Sequence, residues 1–173
     1  MSKHWVFGYG SLIWKADFPF LERRQATIDG WERRFWQGSH DHRGTPEAPG
    51  RVLTLTPVSG AVCTGVAYRV AEDVFEHLDH REKNGYRRVT LDVDIDGGGS
   101  VVGTVYFADH ENPAFLGAAP LADIAAQIER SSGPSGSNAE YLLEIASALR
   151  QLRTEDSHVF GLEALLQGGD GMT

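Results

Sequence analysis

Residues 51–70 read RVLTLTPVSGAVCTGVAYRV, and this stretch decides the fold class. Two runs rich in β-branched residues, Arg51–Val58 and Ala61–Val70, flank the turn-forming pair Ser59–Gly60. Strand-forming runs on either side of such a pair are typical of a β-hairpin. We therefore predict an antiparallel hairpin here.

A second hairpin follows along the chain. Arg88–Asp96 alternates strictly between apolar and polar residues, as a half-buried strand does. After the glycine turn comes SVVGTVYFA, residues 100–108. Near the N-terminus, HWVFGY at residues 4–9 predicts a further strand. By contrast, residues 31–50 show no clean period, and we expect a long loop there.

Three segments have helical patterns and lie apart from the hairpins. The last carries Leu142, Ile145, Leu149 and Leu152 on one stripe, and Ser137 or Asn138 suits its N-cap. Grouped hairpins and separate helices predict an α+β fold with a small, mostly antiparallel sheet, either open or closed into a barrel. The helical segments are AEDVFEHLDHREKNGY (71–86), PLADIAAQIERSSG (120–133) and SNAEYLLEIASALRQLRTED (137–156).

Composition predicts one globular domain over residues 1–173. No apolar run approaches the ~20 residues of a membrane span, and the N-terminus lacks the layout of a signal peptide. The single cysteine excludes an internal disulfide framework. We therefore expect a soluble, cytoplasmic protein.

The charge of the chain is unevenly distributed. A net charge of -8 argues against a nucleic-acid partner. Residues 1–51, however, hold eight Lys and Arg against six Asp and Glu. This local excess of positive charge indicates either a binding region for an anionic ligand in the first third of the chain or a set of solvated surface arginines.

The stretch Tyr9-Gly10-Ser11-Leu12 interrupts the first apolar run. It fits neither the dinucleotide fingerprint nor the phosphate loop, and Ser11 lacks the flanking glycines of a nucleophile elbow. Two interpretations remain open. One is a glycine-bracketed turn whose backbone N–H groups face a ligand, and the other is a β-bulge that needs glycine for packing.

Glu82 is the sharpest catalytic candidate. In a helix it would lie on the same stripe as Phe75 and Leu78, which should face the core. A carboxylate in such a position is either a general base or a member of an ion pair, for instance with Arg87 or Arg88. Tyr141 is similarly ambiguous, since it belongs either to the core or to a ligand pocket.

Other reactive side chains are weaker candidates. Metal ligation by His40, His42, His77 and His80 is conceivable. These histidines, however, have no neighbouring cysteine and no carboxylate–histidine pattern, so we expect no metal site. Cys63 stands within a predicted strand, where a buried and inert thiol is expected.

Four motifs follow one another along the chain: VFGYGSLIW (6–14), GSHDHRGTPEAPGRVLTL (38–55), LDHREKNGYRR (78–88) and GPSGSNAEYL (133–142). In this order they resemble the ChaC family of glutathione-specific γ-glutamylcyclotransferases. The resemblance extends from about Trp5 to Val159. It implies a γ-glutamylcyclotransferase-like α+β fold built on a small β-barrel. It also implies cleavage of glutathione to 5-oxoproline and cysteinylglycine without metal or organic cofactor.

The resemblance also implies residue roles. Glu82 matches the family's catalytic glutamate, and Tyr141 matches a tyrosine of the substrate pocket. The loop at residues 38–50 is typical of the ChaC branch and is expected to cover the peptide. Independently of the motifs, glutathione carries two carboxylates that suit the positive balance of residues 1–51, and Arg43 and Arg51 are candidates for binding its glycine end. The substrate-holding turn corresponds to Tyr9, Gly10, Ser11 and Leu12.

Alternative functions remain open. The first is a cyclotransferase for other γ-glutamyl amines or dipeptides. The second is a non-catalytic module that binds a γ-glutamyl ligand, and the weakest is a metal-dependent hydrolase. We expect a monomer with no nucleic-acid or membrane partner.

Overall fold

A computed structural model describes residues 4–81 and 86–171, with the side chains at positions 80, 81 and 167–171 excluded. Its elements, in chain order, are β1 (His4–Gly8), α1 (Ser11–Trp14), β2 (Glu22–Ser39), β3 (Gly50–Val70), α2 (Glu72–Arg81), β4 (Arg87–Ile95), β5 (Gly99–Phe107), α3 (Leu121–Arg130), β6 (Ser132–Gly133), β7 (Gly136–Ser137), α4 (Asn138–Gln151) and α5 (Ser157–Gly171).

Five strands form a closed barrel in the order β1-β3-β2-β4-β5. Neighbouring strands are antiparallel, except where β1 lies parallel to β5 and closes the barrel through the pair Val6 and Thr104. Helices lie outside this sheet, and β6 and β7 form a separate two-stranded sheet. The predicted α+β class with a mostly antiparallel sheet is therefore confirmed.

The predicted hairpin at residues 51–70 is wrong. Gly50–Val70 is one continuous strand, and both of its halves pair with β2 rather than with each other. Gly60 has φ +85° and Gly30 of β2 has φ +86°, and the register shifts between Asp29 and Trp31. Glycine adopts positive φ without a steric penalty. The Ser59–Gly60 pair therefore marks an irregularity within a strand and not a chain reversal.

The expected loop at 31–50 is only half correct. Residues 31–39 belong to β2, and the connecting loop is confined to residues 40–49. A second register shift between Arg34 and Gln37 interrupts the alternation of this strand. Arg33 and Gln37 are also buried despite their polarity. Both features hide the period of two that reveals a strand in a sequence.

The other elements agree better with the predictions. β4 and β5 form the second hairpin, and a helix covers 72–81. Ser137 is the N-cap of α4, and its side chain accepts a hydrogen bond from the Glu140 N–H. The predicted stripe of α4 is buried in the core. Helix α5 is not predicted by the sequence.

The core fills the barrel and continues beneath the later helices. Its largest fully buried side chains include Phe7, Ile28 and Phe35 from the barrel and Leu142 and Ile145 from α4. None of the helices within the described ranges is long and apolar enough to cross a membrane.

Candidate functional site

The Tyr9–Leu12 turn joins β1 to α1. A Cβ atom at Gly8 would lie 2.4 Å from the Cβ of Leu12, so the chain can fold back here only at a glycine. The Ile13 N–H donates to the Gly10 carbonyl at 2.9 Å. The N–H groups of Ser11 and Leu12 have no acceptor among the described residues. The turn therefore presents two backbone donors, as the first residues of a helix do.

Tyr9 anchors the turn through one side-chain hydrogen bond and one backbone hydrogen bond. Its hydroxyl donates to the Tyr106 carbonyl at 2.7 Å. Its own carbonyl accepts a hydrogen bond from Nη1 of Arg33 at 2.5 Å. The Tyr9 side chain is buried. The contacts described for Tyr9 therefore hold the turn in place.

Tyr141 projects from the first turn of α4 towards Gly10. Its hydroxyl lies 3.3 Å from the position that a Cβ at Gly10 would occupy. The same hydroxyl accepts a hydrogen bond from the Leu53 N–H at 3.3 Å. Burial raises the pKa of Tyr141 to about 12. Tyr141 is therefore buried, as the core interpretation expected, and it holds a protonated hydroxyl beside the turn.

Arg43 lies next to both elements. Its guanidinium carbon is 5.6 Å from the centroids of the Trp14 and Tyr141 rings. Its Nη1 donates to the Ser137 carbonyl at 3.1 Å and to Glu140 at 2.8 Å. Its Nε and Nη2 have no acceptor among the side chains and backbone that the structure describes. Arg43 thus places a positive charge with spare donors between α1 and α4.

Arg51 has a different environment. Its Nε donates to Gln127 at 2.8 Å, and its Nη1 donates to the carbonyls of Phe35 and Gly117 at 3.0 and 2.8 Å. The backbone of Arg51 exchanges two hydrogen bonds with the Asn138 side chain. Burial lowers its pKa. These contacts favour a structural role, and substrate binding by Arg51 stays a prediction.

Glu82 lies outside the described residues. Helix α2, which precedes it, is nevertheless connected to the turn. The Tyr106 hydroxyl donates to Asp79 of α2 at 3.2 Å, and the Tyr106 carbonyl accepts from Tyr9. Arg88 also donates to Asp79, at 2.8 Å.

The arginines required for an ion-pair role of Glu82 have other partners. Arg88 is paired with Asp79. Arg87 forms ion pairs with Asp109, at 2.7 Å, and with Glu111. Since Glu82 is outside the described residues, its ion-pair and general-base interpretations both stay predictions.

The remaining reactive side chains are the histidines and Cys63. His42 contacts the Ser135 hydroxyl at 3.0 Å. Within residues 4–81 and 86–171, no group of three or more His, Cys, Asp and Glu is placed to hold a metal ion; the side chain of His80 is not described. Cys63 is buried as predicted, and burial raises the pKa of its thiol.

The chain is similar to known proteins along most of its length. The family model described as "ChaC-like protein" matches residues 4–168. The chain belongs to the ChaC family. It is 47% identical to gamma-glutamylcyclotransferase 2-3 of Arabidopsis thaliana, over 91% of this chain and 85% of that protein. It is 41% identical to glutathione-specific gamma-glutamylcyclotransferase 1 of Danio rerio, over 95% of this chain and 89% of that protein.

Solved structures of other proteins have folds similar to that of this ChaC-family chain. A crystal structure of the yeast γ-glutamyl cyclotransferase specific to glutathione superposes with a TM-score of 0.83 and 32% identity, over 95% of this chain and 98% of that one. A γ-glutamyl cyclotransferase of 14% identity has a TM-score of 0.58 and shows a likeness of fold alone. The predicted γ-glutamylcyclotransferase-like fold is therefore confirmed.

Two residues of this ChaC-family chain escaped the sequence analysis. His158 at the start of α5 accepts a hydrogen bond from the Phe35 N–H at 3.0 Å, and the Phe35 ring packs edge-on against Tyr141 at 5.8 Å. Arg33 binds the Tyr9 carbonyl. Arg33 resembles an ordinary surface charge in the run Glu32–Arg34, and His158 precedes a segment without clear periodicity. No local signal could have revealed either contact.

Proposed function

We propose that this protein is a glutathione-specific γ-glutamylcyclotransferase, which releases 5-oxoproline and cysteinylglycine. The observation that carries the proposal is the extensive identity with the Danio rerio enzyme named for glutathione, over 95% of this chain. The free amides of the turn and the cationic environment beside them suit an anionic γ-glutamyl substrate.

The proposed reaction is an intramolecular acyl transfer. The α-amine of the γ-glutamyl group attacks the γ-carbonyl carbon, and a new C–N bond closes a five-membered lactam. The bond from that carbon to the cysteine nitrogen then breaks. Starting from an α-ammonium, two protons leave the α-nitrogen and two reach the departing nitrogen, so the reaction needs a proton shuttle and no enzyme nucleophile.

In this proposal Glu82 is the proton shuttle. Glu82 matches the catalytic glutamate of the family motif in LDHREKNGYRR. The contacts of Asp79 with Tyr106, and of Tyr106 with Tyr9, support a position of the preceding helix near the turn. A carboxylate with a pKa raised by desolvation would be a suitable base near neutral pH.

The turn binds the γ-glutamyl end of the substrate in this proposal. The Gly10, Ser11 and Leu12 amides either hold its carboxylate or stabilise the negative charge that develops on the γ-carbonyl oxygen. Tyr141 keeps its proton at neutral pH and can donate it to the same group. Arg43 supplies a cation beside them, and the loop at 40–49 that carries it covers the cysteinylglycine portion.

We further propose that the enzyme works as a monomer in the cytoplasm, where glutathione is abundant and reduced. The proposal includes no cofactor, because the reaction exchanges one C–N bond for another and needs only proton transfers. It also includes no nucleic-acid or membrane partner.

A product assay tests the function. Purified protein is incubated with glutathione, and 5-oxoproline and cysteinylglycine are quantified by chromatography, with γ-glutamyl-alanine as a parallel substrate. We expect equimolar products from glutathione and a much lower rate with γ-glutamyl-alanine. Turnover of γ-glutamyl-alanine alone would establish the broader cyclotransferase, and binding without turnover of either would establish the non-catalytic module.

A further inference from the structure

Arg33 is a buried cation that contacts three separate parts of the fold. It lies in β2 and is only 3% exposed. Its Nη1 donates to the Tyr9 carbonyl at 2.5 Å, and its Nη2 donates to the Thr64 carbonyl of β3. Its Nε pairs with Asp156 at 2.8 Å. One guanidinium therefore connects the turn, the barrel wall and the segment before α5.

Asp156 is itself fixed by α5. Its Oδ2 faces Arg33, while its Oδ1 accepts a hydrogen bond from the Val159 N–H at 3.0 Å. Its backbone carbonyl accepts from the Phe160 N–H at 2.9 Å. Asp156 therefore caps the N-terminus of α5 with one oxygen and holds Arg33 with the other, and an acidic residue is favourable at this end of a helix.

The Arg33 contact orients the peptide group that opens the turn. The carbonyl of Tyr9 and the N–H of Gly10 belong to the same peptide unit, which is planar. No peptide bond in the described residues is cis. In a trans peptide the N–H points away from the carbonyl. When Arg33 holds the Tyr9 oxygen, the Gly10 N–H must therefore point to the opposite side, away from Arg33.

A lysine in place of Arg33 could not make the same set of contacts. Arginine presents its donors in a rigid planar fork, whereas the ammonium of lysine is a compact charge on a flexible chain. Burying a cation is also costly unless a counter-charge and hydrogen bonds compensate for its lost hydration. Asp156 supplies that counter-charge, since it is the carboxylate paired with Arg33.

The pair is separate from the groups assigned to substrate contact. A cavity of about 140 Å³ is lined by Arg33, Cys63, Thr64 and Asp156 among others, and by no residue of the turn. Among the described residues, the contact of Arg33 with the turn is its hydrogen bond to the Tyr9 carbonyl.

We propose that Arg33 and Asp156 are positioning residues that orient the Tyr9–Leu12 turn for its substrate. This inference rests on the proposed function, because the turn must bind the γ-glutamyl group for its orientation to affect turnover. Neither residue touches the substrate. Removing the Asp156 charge lets the Arg33 guanidinium shift, and the turn amides then lose their alignment.

The test compares Asp156→Asn with Glu163→Gln. Asparagine keeps the oxygen that caps α5 and removes the charge that holds Arg33. Glu163 pairs with Arg150 between α5 and α4, so its variant loses an ion pair of the same helix that does not reach the turn. We expect kcat/KM for glutathione to fall about tenfold in Asp156→Asn and to stay within twofold of the wild type in Glu163→Gln.

The measurement is made at a temperature at which near-ultraviolet circular dichroism shows each variant to be folded. A folded Asp156→Asn protein with a loss below threefold would overturn the inference. An inactive wild type would instead refute the proposed function, so the two failures are distinguishable.

A double-mutant cycle separates positioning from general stability. If the residues act as one unit, Arg33→Met combined with Asp156→Asn loses no more kcat/KM than Arg33→Met alone. Independent, additive losses in the folded proteins would contradict the inference. Should Arg33→Met fail to fold, Asp156→Glu takes its place, and recovery of at least half the activity lost in Asp156→Asn is then required.

Discussion

The Nε2 atom of His158 accepts a hydrogen bond from the backbone N–H of Phe35 at 3.0 Å. This contact requires a neutral imidazole, because a protonated Nε2 is a donor. Burial, with contributions from Arg34 and Arg51 that outweigh the opposing effect of Asp156, lowers the pKa of His158 to about 4.

The first prediction is acid destabilisation through His158. A pKa lowered by folding gives stability that is complete above the unfolded value of about 6.5 and is lost as the pH falls towards 4. We expect the free energy of unfolding to drop by about 2 kcal/mol between pH 7 and pH 5 from this residue. Urea titrations at both pH values measure it. His158→Gln keeps an acceptor for Phe35, and this variant should lose that part of the pH dependence.

The second prediction concerns Glu82. Because the departing amine and the attacking amine both need proton transfer, Glu82→Gln should reduce kcat by a factor of at least about 10². Single-turnover assays with glutathione provide the measurement, and circular dichroism verifies the fold. Full activity in Glu82→Gln would refute its assignment as the base.

The third prediction separates the two buried arginines. Arg51→Met leaves the carbonyls of Phe35 and Gly117 without this donor and should lower the free energy of unfolding by about 2 kcal/mol, with KM for the folded protein unchanged. Arg43→Met loses a partner in Glu140, which is half exposed, so it should cost little stability and raise KM instead. If Arg51→Met raised KM and Arg43→Met lowered the free energy of unfolding instead, Arg51 would be the substrate-binding residue and Arg43 the structural one.

A fourth prediction concerns Tyr141. Tyr141→Phe keeps the ring packing against Phe35 but removes the acceptor of the Leu53 N–H, which should cost about 1 kcal/mol of stability. If the hydroxyl also contacts the substrate, kcat/KM falls by about tenfold or more. Since the pKa of Tyr141 is about 12, its ionisation should not limit activity below pH 10. A loss of activity near pH 10 that is absent in Tyr141→Phe would contradict this environment.

The fifth prediction compares two glycines of the first motif. Alanine at position 8 would place its Cβ 2.4 Å from that of Leu12, so the variant should be destabilised by about 1–3 kcal/mol. Alanine at position 10 meets the Tyr141 hydroxyl at a milder 3.3 Å. We expect Gly10→Ala to fold and to lose substrate affinity. Equal thermal unfolding temperatures for the two variants would refute the distinction.

Sequence periodicity predicted those elements whose partners lie nearby in the chain. The β4–β5 hairpin was correct because its alternation is uninterrupted from Arg88 to Ile95. The Ser59–Gly60 pair was misleading, since the same residues that reverse a chain also permit a bulge within a long strand. β2 escaped prediction where register shifts and the buried Arg33 interrupt its pattern.

The candidate site shows the same division. Glycines around position 10 pointed to the turn, because glycine has few other reasons to interrupt an apolar strand. Arg33, Asp156 and His158 owe their roles to contacts across many residues of sequence. The sequence around a charged or titratable residue does not indicate which distant backbone group its side chain will contact in the folded protein.

The closure of the barrel determines when the site can exist during synthesis. β1 pairs with Val66–Val70 of β3 and with Thr104 of β5, and Tyr141 joins Gly10 only after α4 is made. The residues of β1 must therefore wait for partners that lie about sixty and about a hundred residues further along the chain. Such distant pairings form slowly during folding. A nascent chain arrested before α4 contains all five barrel strands but lacks Tyr141, which lies beside Gly10 in the folded protein.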